Sequence, residues 1–149
     1  MIDLDENIVA CSSPPGVGAI SLIRVSSPDI SFLAESLSLD GLKANEAKVT
    51  EIELKKDLKE KCVLTLFKKP NSFTGEDILE VSCHGNPLIV SLLVSYFVSK
   101  GCREAKPGEF SLRSFVNNKL TILEAEAIDD LINAETEEQL LASSRSLSG

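Results

Sequence analysis

Residues 77–101 read DILEVSCHGNPLIVSLLVSYFVSKG. The first seven alternate, with Leu79, Val81 and Cys83 on one side and Ile78, Glu80 and Ser82 on the other. A period of two is that of a strand. At Asn86-Pro87 the pattern changes. An Asn side chain can accept from the free N–H groups at a helix start, and proline at the first helical position lacks an N–H that would go unbonded there. The apolar run beyond predicts a helix to Lys100, with Gly101 as a left-handed stop. A strand that feeds a helix calls for a sheet with helices laid on it.

Working upstream, NIVAC (7–11) is a short strand and SSPPGVG (12–18) a loop, since two prolines and two glycines break regular structure. AISLIRV (19–25) is a second strand, with Ile20, Leu22 and Arg24 on one face and Ser21, Ile23 and Val25 on the other. A helix is expected near Ser27-Pro28, capped by the serine, with Ile30, Leu33, Ala34 and Leu37 as its apolar face. Strands follow over 48–54 and 61–67, separated by the charged turn KKDLKEK. Downstream, 102–105 extends a sheet edge, Pro107-Gly108 is a turn, and 109–117 is a short helix. Thr121 and Glu124 form a capping box. Leu120, Leu123, Ala127, Leu131 and Ala134 then give one long helix, continued more weakly through Leu140, Leu141 and Leu147. Its apolar side lacks a partner helix in the sequence, so it is expected to pack on an absent helix or on a second copy. The sum is an α/β (α+β) fold, a mixed sheet of about five strands with helices packed on it.

The 149 residues suit one ordinary domain, or one domain and the start of another. Fifteen basic against 23 acidic residues leave a net charge of −8, which argues against this piece alone gripping a phosphate backbone. A small anion held by one or two cations stays allowed. Cys11, Cys62, Cys83 and Cys102 show no C-x-x-C spacing. With Asp3, Asp5 and Glu6 in place of a basic leader, reduced thiols and a cytoplasmic location are expected. The longest apolar stretch, 87–99, is too short for a membrane span. GxxxxGK[ST] is absent, so the chain by itself is not expected to hydrolyse GTP or ATP by that route.

Cys83-His84 invites a metal or thiol reading. Adjacent strand residues point to opposite faces, so one ion is poorly served by both, and Cys83 falls with Leu79 and Val81 on the core side. The charges set inside strands are more informative. Glu80 shares a face with Ile78 and Ser82, and Arg24 with Ile20 and Leu22. A charge on an apolar face needs a partner or solvent. Either the two pair with each other or lie on a solvated face, or they line a ligand pocket in which a carboxylate accepts N–H donors. Lys119, two residues before the capping box, is either a solvated joint residue or a further cation for a ligand.

Three stretches together, PPGVGAISLIRVS, SFTGEDILEVSCHGNP and KPGEFSLRSFVNNKLTILEAEAIDDLINAETEEQL, resemble the N-terminal part of the MnmE (TrmE) tRNA modification GTPases, in family order over positions 14–139. The resemblance implies a domain similar to the tetrahydrofolate-binding domains of aminomethyltransferases, spanning 1–118, which binds 5-formyl- or 5,10-methylene-tetrahydrofolate and forms a homodimer. Residues 119–149 would begin a central helical domain, cut before the GTP-, Mg2+- and K+-binding G domain. It implies work with an FAD-bearing MnmG (GidA) partner, in a heterotetramer, adding an aminomethyl or carboxymethylaminomethyl group to C5 of the tRNA wobble uridine. By motif it assigns folate contact to Arg24, Glu80 and Lys119, with no catalytic and no metal-binding residue in this chain. Asn86 stands where the family commonly has glycine, and VNNKLTILEAEA replaces the commoner LNGKLDLAQAEA, so the turn beside Lys119 is expected to differ. The alternative is a purely structural dimerisation and docking module without a working folate site. An autonomous aminomethyltransferase would call for a much longer chain.

Overall fold

A computed structural model describes residues 3–149. Its six strands are β1 (Asn7–Cys11), β2 (Ile20–Ser27), β3 (Ala47–Lys55), β4 (Leu58–Phe67), β5 (Asp77–His84) and β6 (Cys102–Glu104). Its four α-helices are α1 (Pro87–Ser99), α2 (Glu109–Val116), α3 (Ile122–Ile132) and α4 (Glu137–Ser148). The strands form one mixed sheet in the order β3-β4-β5-β2-β1-β6. Only β1 and β6 run parallel, and every other neighbour pair is antiparallel. The α/β class therefore holds, with β6 as the sixth strand at the edge.

Alternation decides which face is dry. Val9, Ile23, Val25, Leu64, Leu79 and Val81 are completely buried on one side of the sheet. Leu93 and Phe97 of α1, one turn apart, close over that side together with Ile30 and Leu33. Burial of such side chains contributes about 1.5–3 kcal/mol each. Asn86 caps α1 by accepting from Leu88 N–H at 2.8 Å, as expected, and Gly101 takes φ 115° after its end.

Four expectations change. Ser27 does not cap a helix; it is the last residue of β2, buried, and its hydroxyl donates to Asn7 Oδ1. The cap is Asp29, which starts only a single 3-10 turn, Ile30–Leu33. Its carboxylate accepts from Ser31 N–H at 3.0 Å, and that bond holds its pKa below the ordinary value. The charged turn shrinks to Lys56-Asp57, because Asp57 takes φ 66° and Leu58 already pairs with Lys55. Most consequentially, the long terminal helix is two helices. Thr136 and Gln139 form a second capping box that starts α4, and α4 packs back on α3. α3 thus has a partner within the chain, where none was expected, and its Ala127 is buried, although Ile122, Leu123 and Ile132 stay exposed. The first two residues of the expected 1–118 domain lie outside the described residues.

Candidate functional site

The sheet face opposite α1 holds the charges. Antiparallel register between β2 and β5 sets Arg24 directly across from Glu80. The same row continues to Ala10 on β1 and Thr65 on β4. Arg24 Nη2 donates to Glu80 Oε2 at 2.7 Å, and Nε donates to the same oxygen at 3.1 Å. The side chains remain 24% and 20% exposed. Opposed charges on neighbouring strands stabilise each other, more so when partly shielded from water. Both bonds use Oε2. Among the described residues, Glu80 Oε1 accepts from no protein donor and Arg24 Nη1 donates to no acceptor. The pair therefore presents a free acceptor oxygen, Oε1, beside the free N–H groups of Nη1.

Next to it lies the loop 73–76, Phe-Thr-Gly-Glu. The Phe73 ring sits 5.5 Å from the Arg24 guanidinium carbon. The loop is tied down on both sides. Ser114 Oγ donates to the Phe73 carbonyl at 2.6 Å, and Asn117 Nδ2 to the Thr74 carbonyl at 2.8 Å. Ser26 Oγ shares a 2.8 Å hydrogen bond with the buried Thr74 hydroxyl and donates to Glu76 Oε1 at 2.8 Å. Glu76 also accepts from Arg113 Nη1 at 2.9 Å.

Arg113, only 1% exposed, continues this network to Glu109 at 3.3 Å. Arg103 donates to both oxygens of Glu109 at 2.9 and 2.7 Å and reaches Glu6 at 2.7 Å. The Arg103 hydrogen bonds, aided by Lys106 N–H and the nearby positive charges, outweigh burial and hold the Glu109 carboxyl at about 2. Among the described residues, Arg113 Nε is a buried donor without a partner. SFTGED and PGEF are thus two ends of one buried charge network. Glu76 of SFTGED and Glu109 of PGEF share Arg113.

Lys119 is exposed and makes no ion pair among the described residues. It touches neither Arg24 nor Glu80 by hydrogen bond. Its link to them is the loop, for a side-chain carbon at Gly75 would come within 2.7 Å of Asn117 Cβ and 3.4 Å of Lys119 Cγ. With φ 79° as well, only glycine fits there without strain. The backbone N–H of Lys119 donates to Ser114 O at 2.8 Å, anchoring it to α2.

Cys83 and His84 separate as alternation requires. Cys83 is buried, and burial, helped by the nearby Glu60 charge, pushes its thiol up to about 11. A thiol so far from ionisation is a poor nucleophile. His84 faces outward, and its Nδ1 lies 3.0 Å from both oxygens of Glu60. Glu60, buried inside what the sequence suggested was a turn, also accepts from His84 N–H at 2.8 Å. Gly85 meets the PPGVGA loop: a Cβ there would fall 2.3 Å from the Gly18 carbonyl oxygen. A concavity of about 820 Å³ opens between α1, β1 and the loop at Pro14-Pro15, on the other side of the sheet. Arg24, Glu80 and Lys119 do not line it.

Sequence reasoning missed Phe73, Glu60 and Arg113. Arg113 had a signal, since it falls four residues after Glu109 and so shares a helix face with it. Phe73 and Glu60 had none beyond their motif and their alternation with Cys62.

The fold and these charges define an α/β domain with one packed sheet face and an opposite face, partly open, bearing an oriented carboxylate–guanidinium pair. Residues 7–119 match the family described as the GTP-binding protein TrmE N-terminus, and the chain belongs to that family. It is 38% identical over 144 residues to the tRNA modification GTPase MnmE of Francisella philomiragia, covering 97% of this chain and 32% of that protein. It is 39% identical, with the same coverage, to the MnmE of Francisella tularensis subsp. tularensis (strain FSC 198) and of subsp. novicida. The chain spans about a third of the length of these relatives.

Proposed function

We propose that this chain is the folate-binding, homodimerising N-terminal part of a cytoplasmic tRNA modification GTPase. Arg24, Glu80 and Lys119 are its ligand-orienting residues. The observation that carries this reading is the half-shielded Arg24–Glu80 pair with Oε1 and Nη1 left free. The recognition edge of a pterin offers an amino group and a ring N–H as donors beside a carbonyl acceptor. A carboxylate oxygen next to a guanidinium N–H complements that edge, and charge assistance strengthens both bonds. Lys119 supplies a free positive charge for the acidic tail of a folate. When bound, 5-formyl- or 5,10-methylene-tetrahydrofolate supplies a one-carbon unit. The residues of this chain hold and orient it, and none acts as an acid, base or nucleophile.

In the whole protein that carbon would reach C5 of the wobble uridine of tRNA as part of an aminomethyl or carboxymethylaminomethyl group. The reaction would proceed with an FAD-bearing MnmG partner, and GTP hydrolysis would reside in a G domain. Residues up to about 118 form the ligand-binding domain, and α3 and α4 begin the helical one. The homodimer is supported by the open sheet face. Ile20 is 69% and Val49 60% exposed on the Arg24 side of the sheet, in rows continuous with Leu22, Ser82 and Val63. Apolar surface of this kind marks an interaction face.

Calorimetry with 5-formyltetrahydrofolate tests the assignment. The expected result is saturable binding; an absence of heat and saturation would overturn it and leave the purely structural dimerisation module. Sedimentation tests the dimer, and a strict monomer at high concentration would contradict it.

A further inference from the structure

Recognition of a flat heterocycle by its edge leaves its face without a partner. Polar contacts in the plane fix direction but leave the π surface in water, and an aromatic side chain parallel or perpendicular to that surface provides the missing contact. Beside the Arg24–Glu80 pair one residue has the required chemistry. Phe73 is 39% exposed, although a phenyl ring gains most when fully covered. Its ring lies against the Arg24 guanidinium, and so on the same side of the sheet as the free Oε1 and Nη1.

The backbone that carries the ring is also held in place before any ligand arrives. The Phe73 carbonyl is bonded by Ser114, the Thr74 carbonyl by Asn117, and the Thr74 hydroxyl by Ser26. Gly75, two residues on, abuts Asn117 and the stem of Lys119. One braced loop therefore meets Arg24 on one side and the stem of Lys119 on the other, and Phe73 is its exposed aromatic side chain. Preorganisation of this kind removes the ordering cost of binding.

We propose that Phe73 is a further ligand-contacting residue, an aromatic platform for the face of a flat ring whose edge meets Glu80 and Arg24. This rests on the folate reading above and adds to it an element that favours a ligand with a flat conjugated ring, such as the pyrimidinone of a reduced pterin, over other anions. The competing role for Phe73 is a simple apolar cover for the ion pair. Leucine serves as cover but offers no π face, so Phe73→Leu separates the two.

Calorimetry with 5-formyltetrahydrofolate would compare the wild type, Phe73→Leu and Phe73→Tyr, with thermal unfolding to verify that each variant folds. The chain contains no tryptophan, so Phe73→Trp adds a single fluorescent reporter at the proposed contact. Phe73→Leu is expected to bind roughly tenfold more weakly, Phe73→Tyr about as well as wild type. The Phe73→Trp emission is expected to change on titration, with the midpoint found by calorimetry. Equal affinity of wild type and Phe73→Leu, or an unchanged Trp emission at saturation, would overturn the platform while leaving the folate reading intact. Failure of the wild type to bind would overturn both. Should Phe73→Leu not fold, the Trp titration alone decides.

Discussion

Two arginine–carboxylate groups lie at the two ends of the same loop, and they do different things. Around Arg113 the charges are the more deeply buried, with Arg113 and Glu109 at 1% and 0% exposure, and Arg103 of β6 carries the group out to solvent. Around Arg24 the pair is partly open, with both bonds on one carboxylate oxygen, and the other oxygen and the Nη1 N–H groups left over. Chemistry is the same in both places; burial separates them. A buried charge must be paired, and its partners become a brace whose loss is severe. A half-exposed pair is worth little to stability, and its spare atoms can be offered to a ligand.

This contrast breaks if the two regions respond alike to mutation. The largest effect is expected from Arg113→Ala, which leaves Glu76 without a cation and Glu109 with Arg103 alone. Urea unfolding should show a loss of about 3–5 kcal/mol. A loss below 1 kcal/mol would put Arg113 in the same class as Arg24.

Acid should attack the same region next. The Glu109 carboxyl is held at about 2, below its ordinary value near 4.5, chiefly by Arg103. Its contribution is therefore complete above the unfolded pKa and is lost as pH falls through about 4.5 toward 2. Roughly 2–3 kcal/mol should go with it. Glu109→Gln should be less stable at neutral pH and flatter across that acid window. A parallel pair of pH curves would remove Glu109 from the brace.

Glu80→Gln should do the reverse. Affinity for 5-formyltetrahydrofolate is expected to fall by roughly 1.5–3 kcal/mol, as a charged hydrogen bond is lost. Unfolding free energy should change by no more than about 1 kcal/mol. Unchanged affinity in calorimetry would take Glu80 out of the site. The smallest effect serves as a reference outside both regions. Thr136→Ala removes the cap of α4 and should cost about 1 kcal/mol, with ligand binding unaltered.

Much of the architecture was legible because its signals are local. Asn86-Pro87 and Gly101 mark the ends of α1 through backbone groups a few residues away. The alternation of Leu79, Val81 and Cys83 identified the buried face and removed Cys83 from candidacy as a reactive thiol. Where reading failed, a competing local signal was present but outweighed. Thr136-Glu-Glu-Gln139 is itself a capping box, yet it was absorbed into a helical pattern that seemed to continue. Ser27-Pro28 looks like a helix start, but Ser27 pairs with Asp77 and stays in β2. Glu60 looked like part of a polar turn because charge hides a period of two.

Sequence alone determined most of the element types, the packed face of β5, the identity of Arg24, Glu80 and Lys119 as charges in unusual places, and the family they resemble. Each depends on neighbours within a turn or a strand, or on motifs read in order. Tertiary structure decided the rest. It set Arg24 against Glu80 across 56 positions of chain, left Lys119 apart from both, and drew Glu76 and Glu109 to one buried arginine. Strand register and burial make those choices, and both arise only when distant segments exclude water together.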